Sequence, residues 1–169
     1  MAVEISTYFY EGKGLSYLVM PKAGSTSIKK ALGATERIDV PKFPVFTTFR
    51  NPVARCYSAY QELKRMNKWR GRWTGNRSDF ETYLTECENN GFWNEHQMPQ
   101  VDYLNQFWVR FPEIEERIFR LTDTEGIERF IGCKFPKENV STEKECITKY
   151  ASRIWELYPE DYYFWYNEL

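Results

Sequence analysis

Val19-Met20-Pro21-Lys22-Ala23-Gly24-Ser25-Thr26-Ser27 lies between an apolar run, Leu15 to Met20, and a helix-forming run, Ile28 to Leu32. The first reads as a buried strand and the second as helix, which makes the stretch between them a strand-to-helix turn. Such a turn aims several unpaired backbone N–H groups at one spot, and the helix dipole adds partial positive charge there. Gly24 lets a ligand approach the backbone, Lys22 adds a full charge, and Ser25, Thr26 and Ser27 add hydroxyl donors, so the stretch has the parts of a phosphate cradle. It is not a Walker A loop, in which the lysine follows the second glycine; here Lys22 precedes Gly24. On its own it is equally readable as an ordinary turn with a capping serine and a solvated lysine.

A second turn of the same kind follows. Val45-Phe46-Thr47-Thr48-Phe49 is a β-branched and aromatic run that ends at Arg50-Asn51-Pro52. Pro52 suits the first turn of a helix with Asn51 as its N-cap, and Val53, Cys56, Tyr57, Tyr60 and Leu63 recur at helical spacing. Arg50 marks the strand end, and Ser58 lies about two turns along the helix.

Outside these turns the chain reads as alternating elements. Strands are expected over Ile5 to Tyr10, Ser16 to Met20 and Ile118 to Leu121, with Arg37 to Pro44 irregular. Capping boxes at Ser78–Glu81, Thr122–Glu125 and Thr142–Glu145 open helices, the last running through Ile147, Tyr150, Ala151, Ile154, Leu157 and Tyr158. Alternation of this kind argues for an α/β fold with a doubly wound, mostly parallel sheet flanked by helices in one domain, 1–169, with ligands at the carboxyl ends of the strands. A ligand bridging both turns would carry two separated anionic groups.

Composition narrows the partners. The 169 residues carry a net charge of −1, which excludes a broadly basic nucleic-acid binder and makes any anion site local. Cys56, Cys87, Cys133 and Cys146 show no metal-ligand or redox spacing and are expected as free thiols. No window reaches the ~18 apolar residues of a membrane span, and a cytoplasmic location is expected. Aromatics, at 18%, are read as core with some exposed surface. The basic stretch Lys64 to Asn76, with Trp69, Arg70, Arg72, Trp73 and Arg77 interspersed, reads as a solvated loop or a lid facing an acceptor.

Four segments in order resemble one family. Pro21 to Ser27 is similar to the 5′-phosphosulfate loop of sulfotransferases that use 3′-phosphoadenosine-5′-phosphosulfate (PAPS). Phe49 to Tyr60 is similar to their 3′-phosphate motif, including the eight-residue interval from Arg50 to Ser58. Asn94 to Gln100 resembles the His-x-x-Pro-Gln segment of carbohydrate sulfotransferases of the chondroitin and heparan type, and Leu157 to Phe164 resembles their ending.

The resemblance implies a P-loop-like fold and sulfuryl transfer from PAPS to a hydroxyl of a sugar or small polar molecule; no metal is expected, because the two cationic turns come with no clear carboxylate metal site. Lys22, Ala23, Gly24, Ser25, Thr26 and Ser27 would hold the 5′-phosphosulfate, and Arg50 and Ser58 the 3′-phosphate. Lys22 and His96, the sole histidine, would be catalytic, His96 as general base because an unperturbed imidazole titrates near ~6.5. Glu95, Glu36 and Asp39 are the alternative bases. Rival readings are a small nucleotide kinase, with Asp123 as metal partner, and a PAPS- or sugar-binding module without activity.

Overall fold

The structure is a computed structural model that describes residues 6–70, 80–135 and 147–169, apart from the side chains of 67–70. Ile5, residues 71–77, Ser78, the Thr142–Glu145 box and Cys146 lie outside what is described, while residues 64–70, expected as loop, continue the helix that starts at Pro52.

Five strands form one sheet: β1 (Phe9–Gly12), β2 (Leu15–Leu18), β3 (Arg37–Ile38), β4 (Val45–Phe49) and β5 (Glu116–Arg120). Their spatial order is β3-β1-β2-β4-β5. β2 and β4 pair in parallel, as do β4 and β5, whereas β1 is antiparallel to both β2 and β3. The expected mostly parallel sheet is therefore a mixed one, with its parallel part at β2-β4-β5.

The reason lies in two residues. β1 runs on through Glu11 and Gly12, and only Lys13 (φ 53°) and Gly14 (φ 71°) turn the chain. Two consecutive residues at positive φ make a tight hairpin of the type that matches strand twist, and a hairpin can join only antiparallel strands. Arg37–Ile38, expected as irregular, adds a two-residue edge strand against β1.

Seven α-helices are described: α1 (Ser25–Leu32), α2 (Pro52–Arg70), α3 (Phe80–Asn90), α4 (Gln100–Arg110), α5 (Thr124–Ile131), α6 (Ala151–Leu157) and α7 (Pro159–Asn167), with a 3-10 turn at Ile147–Tyr150. Asn51 caps α2 as expected, its Oδ1 accepting from the N–H groups of Val53 at 3.0 Å and Ala54 at 3.3 Å. α5 differs: its cap is Asp123, not Thr122, and Asp123 Oδ1 accepts from Gly126 N–H at 2.9 Å.

Side chains alternate across the sheet and sort into two layers. Leu18, Val45 and Phe49 pack with Val101, Leu104 and Phe107 of α4 and Trp165 of α7. Tyr17 and Phe46 point the other way, onto Ile28 and Leu32 of α1 and Ile127 and Ile131 of α5. All five residues of β4 are buried, as a strand covered on both faces requires. A third cluster joins α2, α3 and α6 through Tyr57, Tyr60, Phe80, Tyr83 and Ile154. Among the described residues the aromatics thus divide between buried core positions, such as Phe9, Tyr17, Phe46 and Phe49, and exposed ones, such as Phe43, Trp108, Tyr163 and Tyr166. No described helix is long and apolar enough to cross a membrane.

The ladder between β2 and β4 is short, pairing only Ser16 with Val45 and Tyr17 with Phe46. Beyond it, side chains take over: Thr47 Oγ1 donates to the Leu18 carbonyl at 2.8 Å, and Thr48 Oγ1 donates to the Ala23 carbonyl. The strands part where the two cationic turns begin.

Candidate functional site

After Leu18 the chain turns through residues 21–24 into α1. Lys22 takes φ 64° and Gly24 φ 88°, both left-handed. For lysine that conformation costs energy, and such strain persists where surrounding structure enforces it. At Gly24 an added Cβ would come within 2.6 Å of Leu121 Cδ1, so the turn is pressed against the end of β5. No side chain caps α1, and its first helical bond runs from Ile28 N–H to the Gly24 carbonyl. The N–H groups of Ser25, Thr26 and Ser27 precede that bond and form an open, electropositive end. Ser25 is half-buried, Thr26 exposed and Ser27 buried.

The two turns are joined directly. Arg50 Nη1 donates to the Lys22 carbonyl at 3.0 Å. Arg55, buried at 1% exposure, donates from Nε to the Pro21 carbonyl at 3.2 Å. Burial lowers the proton affinity of Lys22, an effect that Glu62 opposes and Arg50 reinforces. Arg50 is lowered too, by burial first and by Arg55 second.

Gln100 fixes Arg50 through its backbone, accepting from Arg50 N–H at 2.8 Å and donating to the Arg50 carbonyl at 2.9 Å. Gln100 is held in turn by Asp161, which is fully buried and accepts from the N–H groups of Gln100 at 2.9 Å and Val101 at 2.8 Å. Pro99, at the N-cap of α4, makes no side-chain cap, so Asp161 caps the helix from α7.

Ser58 is half-buried on α2, three residues after Arg55 and four before Glu62. That spacing puts all three on one helix face. Glu62 meets the Lys22 turn, its Oε2 lying 3.5 Å from Lys22 Nζ.

His96 sits on the loop between α3 and α4. Its N–H donates to Asn94 Oδ1 at 2.9 Å, and the loop is pinned by Tyr103, whose hydroxyl donates to the Glu95 carbonyl at 2.8 Å, and by buried Gln97, which donates to Tyr83 at 3.4 Å. Burial lowers the proton affinity of the imidazole, with Lys22 and Arg55 acting in the same sense and Glu95 and Glu62 opposing.

Lys22, Arg50, Arg55 and Glu62 are therefore joined at the start of α1, Ser58 lies on the same face of α2 as Arg55 and Glu62, and His96 is near enough to feel the charges of Lys22, Arg55 and Glu62. Glu36 and Asp39 stand apart: they flank β3 at the sheet edge, both exposed, and no hydrogen bond or ion pair among the described residues joins either to Lys22 or His96. Four participants went unnoticed in the sequence. Arg55 and Glu62 share the helical period of Ser58, while Gln100 and Asp161 lie inside the His-x-x-Pro-Gln and Leu157-to-Phe164 segments without any role read for them.

Two buried polar atoms here, Arg55 Nη2 and His96 Nδ1, have no hydrogen-bond partner among the described residues. Buried polar groups are nearly always paired, so an oxygen-rich ligand fits these surroundings. Cations, open N–H groups and hydroxyls form the donor set of an anion site. Compared with models of known protein families, with curated proteins and with solved structures, the chain matches none.

Proposed function

We propose that the protein is a sulfotransferase that takes the sulfuryl group of PAPS to a hydroxyl of a sugar or other small polar acceptor. The observation that carries this reading is the bond from Arg50 Nη1 to the Lys22 carbonyl, 3.0 Å, which ties two cationic strand-to-helix turns into one site. A nucleotide with anionic groups at both its 5′ and 3′ positions is the ligand class that matches two such turns. The parallel trio β2-β4-β5, with both turns at its carboxyl end, supports this reading and would be the P-loop-like part of the fold.

Lys22, Ala23, Gly24, Ser25, Thr26 and Ser27 would hold the 5′-phosphosulfate through backbone N–H groups, hydroxyls and the ammonium. Arg50 and Ser58 would hold the 3′-phosphate. When bound, PAPS supplies the sulfur: its bond to the 5′-phosphate oxygen breaks as a bond to the acceptor oxygen forms. Lys22 places a cation where the departing phosphate gathers charge. His96, kept neutral by its burial, takes the acceptor proton. A reducing, cytoplasmic setting is part of this reading; among the described residues Cys56, Cys87 and Cys133 form no disulfide.

The kinase reading is weaker because Asp123 is committed to capping α5. Calorimetry tests the proposal: adenosine 3′,5′-bisphosphate binds with or without EDTA, and adenosine 5′-phosphate binds far more weakly. Equal affinities would remove the 3′-phosphate role of Arg50 and Ser58. Radiolabelled sulfate transfer, screened over sugars, phenols and amines, then identifies the acceptor, and a preference for phenols would overturn the sugar assignment.

A further inference from the structure

Glu62 is out of place in a cradle made of cations. Its Oε2 lies 3.5 Å from Lys22 Nζ, and the two side chains are only 19% and 21% exposed. Arg65, one turn further along α2, grips the same carboxylate, Nε donating to Oε2 at 3.1 Å. The hydrogen bond from Arg65 is the largest influence holding Glu62 below the usual carboxylate range, and Lys22 adds to it against the opposing effect of burial. Glu62 is thus an anion fixed beside the ammonium that an anionic ligand would need. Lys22 cannot serve both fully, because a ligand oxygen close to Nζ would also face the carboxylate, and like charges at such distances repel appreciably even under solvent screening.

We propose that Glu62 is an exchangeable counter-ion: it holds Lys22 in the strained turn before the donor arrives and yields the ammonium to the donor's anionic group. The inference rests on the sulfotransferase reading. Arg65 makes the exchange feasible, since Glu62 keeps one cationic partner when Lys22 leaves. The exchange also reaches His96. The charged groups around the imidazole are Glu95 on its own loop, Lys22 on the β2–α1 turn, and Glu62 and Arg55 on α2. When Lys22 turns to the donor, the Glu62 charge is less neutralised and better supports a proton arriving on His96. One carboxylate would thereby link donor binding to the readiness of the base.

Glu62→Gln tests this. Adenosine 3′,5′-bisphosphate binds the variant about 3- to 10-fold tighter than wild type by calorimetry, because a charge repelling the ligand is gone. Glu62→Asp retains the charge and returns the affinity toward wild type. The His96 pKa, followed by NMR on the protein's sole imidazole, falls in Glu62→Gln. An ion pair that merely braces the fold would give weaker or unchanged nucleotide binding and an unmoved His96 titration, and that result overturns the proposal. If wild-type protein binds no nucleotide, the sulfotransferase reading fails separately. The exchange is then judged with inorganic pyrophosphate: tighter binding to Glu62→Gln than to wild type supports it, and equal binding overturns it.

Discussion

Gln100 closes on Arg50 from both sides, its amide oxygen 2.8 Å from the Arg50 nitrogen and its amide nitrogen 2.9 Å from the Arg50 carbonyl. A side chain imitates a strand neighbour at the point where β4 ends. Gln100→Ala strands two backbone groups at once, and the expected cost is about 2–4 kcal/mol from the desolvation penalty of unpaired buried groups. Urea unfolding measures it, and a loss under about 0.5 kcal/mol, the usual scale of a surface change, would show that solvent replaces Gln100.

Arg50→Ala and Lys22→Ala separate binding from chemistry. The first removes a charge-assisted contact and is expected to weaken adenosine 3′,5′-bisphosphate by roughly 2–4 kcal/mol, while adenosine 5′-phosphate changes little. The second is expected to lower kcat as well, because in the proposed transfer charge develops on the departing phosphate. A Lys22→Ala enzyme with only a raised donor KM would refute the leaving-group role.

Gly24→Ala probes the turn itself. At φ 88° a methyl group is strained, and it would also press Leu121 Cδ1 at 2.6 Å. Strain of this kind costs about 1–3 kcal/mol. Thermal melting should register the loss, and nucleotide binding should suffer beyond it, since the N–H groups of α1 are displaced. A variant that melts like wild type would mean that the turn is not held as tightly as its packing indicates.

As the proposed base, His96 would set the acid limb of activity. The base works deprotonated, so the rate falls as pH drops through its pKa; burial lowers that pKa, which places the limb below the ordinary value of ~6.5. His96→Ala should cut kcat by ~10²–10⁴-fold and abolish the limb, with donor affinity near wild type. Retained turnover in a folded variant would pass the role to a carboxylate.

The legible features were local ones. The Lys22–Ser27 turn, the Asn51 cap and β4 follow from residues within a few positions of one another, where periodicity and capping chemistry decide the outcome. The edge strand Arg37–Ile38 stayed hidden because two residues carry no alternation, and the Lys13-Gly14 hairpin was blurred because Glu11 and Gly12 resemble turn residues more than strand. Arg55, Glu62, Gln100 and Asp161 act on partners 34, 40, 50 and 61 positions away. No window over a single sequence spans those separations. The segments around Gln100 and Asp161 were visible as likenesses, but their mutual dependence was not.

The passage from ladder to hydroxyls at the end of β2 has a mechanical meaning. Backbone pairing is indifferent to side-chain identity, but the seam closed by Thr47 on Leu18 and by Thr48 on Ala23 depends on two oxygen atoms. Valine has the same outline as threonine and would keep the packing while leaving a buried carbonyl unmet. The gap between the strands is therefore set like a zip with a stop: removing either hydroxyl would disturb the seam in front while the ladder behind it, Ser16 with Val45 and Tyr17 with Phe46, keeps its backbone pairing.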